Sequence, residues 1–184
     1  TDPGNIVAVN ALIADLTPEQ TDTTGEIQAA VDAVAHVLET AAGSAASVTL
    51  DDLDLIGVTG VDFDILDDAN AIIAGTLDDG SAVDTPAELQ DVVDAGLAAL
   101  ELIAAYDGTG DAPGLDVYSA AGVTGVTLGN LDSVTDAIEH LDYVSTNSVA
   151  EAQAVVNGVV SVQAAAAGAA GEPTLAALTA LGIT

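Results

Sequence analysis

Two short stretches hold the residues best suited to chemistry. Asp107-Gly108-Thr109-Gly110-Asp111 sets two carboxylates about a flexible turn, and Asp78-Asp79-Gly80-Ser81 with Asp84 forms a second acidic group. Calcium is the ligand such oxygens suit, and it takes about six to eight of them. Asp107, Asp111, Asp78, Asp79 and Asp84 are therefore the metal candidates, and Ca2+ is the candidate cofactor. Neither stretch has the D-x-[DN]-x-[DN]-G order and closing Glu of an EF-hand, or a glycine-rich nonapeptide repeat. Asp and Gly also meet in ordinary turns, because Asp bonds to nearby backbone and Gly takes positive φ.

Catalysis finds less support. The chain carries 30 Asp and Glu but no Lys or Arg, a net charge of −30 at pH 7, so some carboxylates must lie near one another by crowding alone. An acid–base pair needs environments that push two pKa values apart inside a pocket, and no pattern marks one. There is no G-x-S-x-G elbow. A developing oxyanion would have only amides, histidines or a metal to stabilise it. His36 has Glu39 three residues on and His140 has Glu139 beside it, spacings too common to indicate a metal site. Both read as ordinary helix residues. No catalytic or cofactor-binding residue is assigned, and the chain is not expected to be an enzyme.

The charge narrows the partners. Binding nucleic acid requires cations that displace condensed counterions, and anionic membrane surfaces make the same demand, so both are excluded. The surface suits cations, or a salty or extracellular medium in which repulsion is screened over about 8–10 Å. Half the residues are hydrophobic, which argues for a folded chain rather than an acidic disordered tail. Absence of Cys removes disulfides and thiolate metal sites. No uncharged apolar run of about 18 residues predicts membrane insertion, and no start Met or signal peptide is present, so the chain reads as a mature or excised portion.

The elements that position these residues repeat. Gly57-Val58-Thr59-Gly60-Val61 recurs unchanged at Gly122-Val123-Thr124-Gly125-Val126, a spacing of 65 (122 − 57) that Leu50 and Leu115, Leu66 and Leu131, and Ile73 and Ile138 share. Asn10-Ala11-Leu12-Ile13-Ala14 aligns with Asn70-Ala71-Ile72-Ile73-Ala74, and Gly182-Ile183-Thr184 aligns with the start of the repeated pentapeptide. The predicted fold is all-α: three tandem three-helix modules over 1–60, 61–125 and 126–184, each with two longer helices and one short one, stacked as an elongated array in which neighbours shelter one another.

The first helix of each module is expected over Ile6–Leu16, Ile65–Leu77 and Leu128–Leu141, with Asp62 and Thr127 as caps just before the later two. The second opens on Glu26-x-Gln28, Glu88-x-Gln90 and Glu151-x-Gln153. In the middle module it runs from Pro86, behind a Thr85 cap, to Tyr106. Gly96 and Gly158 within it suggest close helix contact, since each costs about 1 kcal/mol against Ala. The third is short, Leu50-x-x-Leu53, Leu115-x-x-Tyr118 and Leu175-x-x-Leu178, each closed by a Gly that can take the left-handed conformation. GVTGV then reads as an extended connector into the next module, with a small β-bridge as the alternative. Phe63, Tyr106, Tyr118 and Tyr143 fall at module borders or helix ends and read as packing wedges.

The Glu-x-Gln-x-x-Val helices, the connector and the Ala, Asp and Val-rich chain without Cys resemble the helical tandem repeats of giant surface and biofilm-matrix adhesins of Gram-negative bacteria. The resemblance implies secreted, very long proteins whose repeats act as spacers or fibres, often stiffened by calcium, with binding domains elsewhere. It carries over no site residue. The β-sandwich modules and glycine-rich secretion repeats of such adhesins are not in this sequence. The function expected is thus a structural spacer or fibre-forming segment at the cell surface. Its partners would be neighbouring modules or identical subunits, head to tail. The alternatives are a calcium-responsive extracellular binding module and an acidic cytosolic protein of a salt-loving organism.

Overall fold

The computed structural model describes residues 3–44, 47–76, 82–169 and 171–183. Among these the chain is all-helical and has no strand. It divides into two compact units, Thr1–Ala95 and Gly96–Thr184. The expected border at 60/61 falls inside the first unit and that at 125/126 inside the second. No described helix is long and apolar enough to cross a membrane.

The first unit holds α1 (Pro3–Asp15), a 3-10 turn at Pro18–Gln20, α2 (Thr24–Ala41), α3 (Leu50–Ile56), α4 (Leu66–Gly75) and the start of α5 (Pro86–Ala104). Capping fixes where these helices begin. Thr23 accepts from the Glu26 amide at 3.3 Å while Glu26 accepts from the Thr23 amide at 2.9 Å, a reciprocal box that satisfies two otherwise orphaned donors. Thr49 and Asp52 repeat it at the start of α3, at 3.2 and 2.9 Å. Thr85 caps α5 as expected, accepting from the Glu88 amide at 3.2 Å.

Helix ends meet a different constraint. With no Lys or Arg to serve the last carbonyls, the end of α3 closes on its own backbone. Gly57 takes φ 91°, which lets the Val58 amide reach back to the Leu53 carbonyl at 2.8 Å. In the first unit α2 packs on α1, α3 and α4. Ala30, Ala33 and Ala41 are fully buried on it, so small side chains let the backbones approach. The side chains about Leu12, Val37, Ile56 and Leu89 leave a void of about 10 Å³, room for roughly one water. That is a packed core and not a ligand pocket.

The second unit holds the end of α5, then α6 (Leu115–Ala120), α7 (Leu131–Glu139), a 3-10 turn at Tyr143–Ser145, α8 (Val149–Ala166) and α9 (Leu175–Ala180). Ser148 and Thr174 cap α8 and α9, accepting from the Glu151 and Ala177 amides at 3.3 and 3.1 Å. Tyr118 is fully buried, as are Ile103, Val134, Ile138 and Val155 of the same unit. Its hydroxyl lies 3.4 Å from Thr135 Oγ1. Burial pushes the Tyr118 phenol above its usual range, against the opposing bond to Thr135.

The close contact expected of Gly158 is present. A Cβ there would meet the Ala177 carbonyl oxygen at 2.8 Å and Leu181 Cγ at 3.0 Å, so α9 lies directly on the α8 backbone.

Three expectations are corrected. Asp62 and Thr127 do not cap α4 and α7, which start only at Leu66 and Leu131. Each instead opens a turn ahead of the helix: Asp62 accepts from the Asp64 amide at 3.0 Å, and the Thr127 amide donates to Asn130 Oδ1 at 2.7 Å. The α7 helix stops at Glu139, short of Leu141. Phe63 is no wedge: it sits on such a turn, between two aspartates, and is 83% exposed.

Candidate functional site

Among the calcium candidates, Asp107 is already engaged. Its Oδ1 accepts from the Thr109 hydroxyl at 2.6 Å and the Thr109 amide at 3.0 Å. These bonds hold its carboxyl below the usual carboxylate range. The turn chemistry of an Asp two residues before a Thr accounts for this loop. Asp111 follows on the same exposed loop, and Asp84 is half-buried just ahead of α5. Asp78 and Asp79 lie outside the described residues. Among the described residues no three His, Asp or Glu side chains converge as metal ligands would.

The histidines do local work. His140 lies at the end of α7, and its Nδ1 donates to the Asp136 carbonyl at 2.7 Å, serving a helix end that has no other cationic or donor side chain in its last turn. His36 Nδ1 lies 3.0 Å from Asp52 Oδ2, joining α2 to α3. The same oxygen accepts from the Thr49 hydroxyl at 2.7 Å. Burial pushes the Asp52 carboxyl up, but the Thr49 bonds and the His36 ring outweigh it and hold it below the usual range. Sequence spacing did not suggest Asp52, because the pairing crosses a loop and follows no helical period.

The arrangement that recurs is one of neutral amides. Carboxylates can only accept, so in a chain without Lys or Arg a main-chain carbonyl that needs a side-chain donor is served by an amide, a hydroxyl or, at the end of α7, a histidine ring. Gln90, on α5, reads the connector through its whole carboxamide. Its Oε1 accepts from the Thr59 amide at 2.7 Å and its Nε2 donates to the Thr59 carbonyl at 3.1 Å. Gln153, on α8, treats Thr124 the same way, at 2.8 and 3.0 Å. In both cases the Thr hydroxyl adds a longer bond to the same Oε1, 3.3 and 3.2 Å. Each Gln is braced one turn on, Gln90 by Asp94 at 2.9 Å and Gln153 by Asn157 at 3.1 Å.

Each clamp is thus a two-point pairing like that of neighbouring strands, with a side chain in place of the second strand. The pairing holds the connector in place although no strand is present among the described residues. The glycines either side make it fit. Gly57 and Gly60 have φ 91° and 82°, Gly122 and Gly125 φ 74° and 83°, a left-handed conformation that other residues adopt only with strain. The apolar residue between them is driven inward, and Val58 and Val123 are both buried. A third amide works alike in the first unit: Asn70 on α4 accepts from the Val48 amide at 2.7 Å and donates to its carbonyl at 3.0 Å.

Glu-x-Gln was visible in the sequence only as a repeated helix opening. The signal that identifies its role is a Gln repeated in step with a repeated Gly-Val-Thr, in a chain where no cation competes for the carbonyl.

The second unit also has an open groove of about 310 Å³ between α8 and α9, lined by Ala154, Asn157, Gly158, Ser161, Thr174 and Ala177 among others. Its lining is of small side chains with no titratable group. No protein family, curated protein or solved structure matches this chain.

Proposed function

We propose that the chain is a structural spacer: three tandem helical modules, over 1–60, 61–125 and 126–184, whose task is to propagate length within a secreted bacterial surface or biofilm-matrix protein. The observation that carries this reading is the duplicated clamp. Connector and Gln meet twice, through the same pair of main-chain bonds, the same hydroxyl contact and the same bracing one turn on. A junction written twice in one chain is what an extensible array requires, because each module must end in the feature that the next one receives. The helix order supports it as well: α1, α2 and α3 have 13, 18 and 7 residues, α7, α8 and α9 have 9, 18 and 6. The acidic surface keeps such arrays apart in solution, and the absence of Lys and Arg removes every site at which trypsin-like proteases cut.

The test is insertion. A second copy of residues 61–125 placed after Gly125 recreates Gly-Val-Thr-Gly-Val at the new junction, because Val61 and Val126 are identical. An array accepts the extra module: the longer chain keeps its helical content per residue and unfolds at a temperature no lower than the parent. A fold that closes around one non-repeating core would be ruptured by such an insertion, and a loss of helicity or aggregation of the extended chain would refute the reading.

A further inference from the structure

We propose that the groove between α8 and α9 is the contact surface of a two-fold dimer, occupied by the same face of a second copy of this chain. The proposal rests on the register of the three modules and gives the spacer a lateral partner. The groove measures about 310 Å³ and is lined by small, uncharged side chains. Its depth has a cause in the sequence. Ser161 and Ala177 stand where the first module has His36 and Asp52, whose 3.0 Å contact spans α2 and α3. The shorter side chains leave that space open in the third module.

Charge is missing from the same face. Ala154, Asn157 and Ala176 occupy the register of Asp91, Asp94 and Asp116 in the middle module, and Asn157 and Ala176 that of Asp32 and Asp51 in the first. After Glu151 the only charged side chain is that of Glu172, in a chain of net charge −30. The face is outward in every module: Asp32, Asp51, Asp91, Asp94 and Asp116 are exposed, as are Ala154, Asn157 and Ala176. What sets the third module apart is therefore the residues it carries there, and not the lack of a neighbouring module.

Loss of carboxylates favours an acidic occupant, since a cationic one would bind better with them in place. The acidic polypeptide that fits is this chain itself. Two copies at −30 repel each other wherever Asp and Glu line the surface, and the lining of this groove carries neither. Small side chains let α8 of each copy enter the groove of the other, because the side chains at a contact set the distance between helix axes. Asn157 and Ser161 bring donors and acceptors to the pairing. One patch serves both copies, so the assembly closes at two.

Sedimentation velocity of the full chain in 1 M NaCl, where screening is cut to about 3 Å, should show a monomer–dimer equilibrium that stops at the dimer from micromolar to millimolar concentration. Asn157→Asp combined with Ala176→Asp writes into the third module what the other two hold. An aspartate at the first position still accepts from the Gln one turn before it, as Asp94 does from Gln90 at 2.9 Å. One at the second suits the first turn of a helix, so the melting temperature of the monomer should stay that of the parent. The double variant should weaken dimerisation at least about tenfold, because each new carboxylate would be buried without a cation. Ala98→Asp adds the same charge to an exposed position on α5 and should leave dimerisation unchanged. If the double variant lowers the melting temperature of the monomer, Asn157→Asp alone replaces it. A parent chain that stays monomeric, assembly that continues past the dimer, a double variant that dimerises as the parent does, or equal weakening by Ala98→Asp would each overturn the proposal. None of these outcomes alters the module-insertion test, which depends only on junctions within one chain.

Discussion

Replacing Gln90 separates the clamp from the helix that carries it. Gln90→Ala removes two good main-chain bonds, at 2.7 and 3.1 Å, and a longer one from the Thr59 hydroxyl. A net bond contributes about 0.5–1.5 kcal/mol, and the freed Thr59 groups lie where water can reach them, so the expected loss is about 1–2 kcal/mol. With a urea m-value of about 2 kcal/mol per M, the midpoint falls by about 0.5–1 M. Circular dichroism at 222 nm is the assay, as the chain has no Trp to report by fluorescence. Gln90→Glu sharpens the test. The carboxylate still accepts from the Thr59 amide, but it cannot donate to the Thr59 carbonyl and it faces Asp94, whose Oδ1 had been the acceptor at 2.9 Å. At pH 7 it should cost at least as much as Ala. Gln153→Glu should cost less by about 0.3–0.5 kcal/mol, because Asn157, not an aspartate, stands one turn on. Below about pH 4 the new carboxyl is protonated, regains a donor, and its deficit against the parent chain narrows. Midpoints within about 0.1 M of the parent for both Ala variants would show that the clamps contribute nothing, and the reasoning would fail.

Further consequences follow from single side chains. Gly158→Ala should destabilise by about 1–3 kcal/mol despite its better helix propensity, because the methyl would press on the Ala177 carbonyl oxygen at 2.8 Å. By contrast Gly25→Ala, with only Thr23 Oγ1 near at 3.9 Å, should raise the melting temperature. Tyr118→Ala should cost about 3–5 kcal/mol and Tyr118→Phe much less, by urea unfolding, since the phenol's one bond is long at 3.4 Å. The neutral phenol is favoured in the fold, so its contribution is complete below about pH 10 and lost as pH rises through the raised folded value. For Asp52 the sign reverses: its folded pKa is depressed, so its contribution is present above about pH 4 and lost as pH falls through the folded value. Asp52→Asn should flatten the acid limb of a plot of stability against pH.

The helices were legible because their signals are local. Glu26-x-Gln28, and Thr85 ahead of Pro86, mark helix openings, and Gly57 and Gly122 mark stops in a chain without Lys or Arg. The starts of α4 and α7 were misplaced for a related reason. Asp62 and Thr127 are good caps by type, but each was already engaged in the preceding turn, which only the backbone path reveals. Phe63 was misread because its size suggests burial, while a turn between aspartates offers nothing to pack against. The site was half legible: the repeated Gln and the repeated connector were both visible, but their meeting spans 31 residues in one case and 29 in the other, and no helical or strand period links positions so far apart. The His36–Asp52 pair was hidden by the same lack of local spacing.

Amide hydrogen exchange at Thr59 and Thr124, read by NMR, tests the clamp most directly. Both amides lie in connectors without secondary structure and would exchange at nearly the free-peptide rate if no side chain held them. The account predicts that both are protected, that Gln90→Ala frees Thr59 while Thr124 stays slow, and that Gln153→Ala does the reverse. Free-peptide exchange at both positions in the parent chain would contradict it.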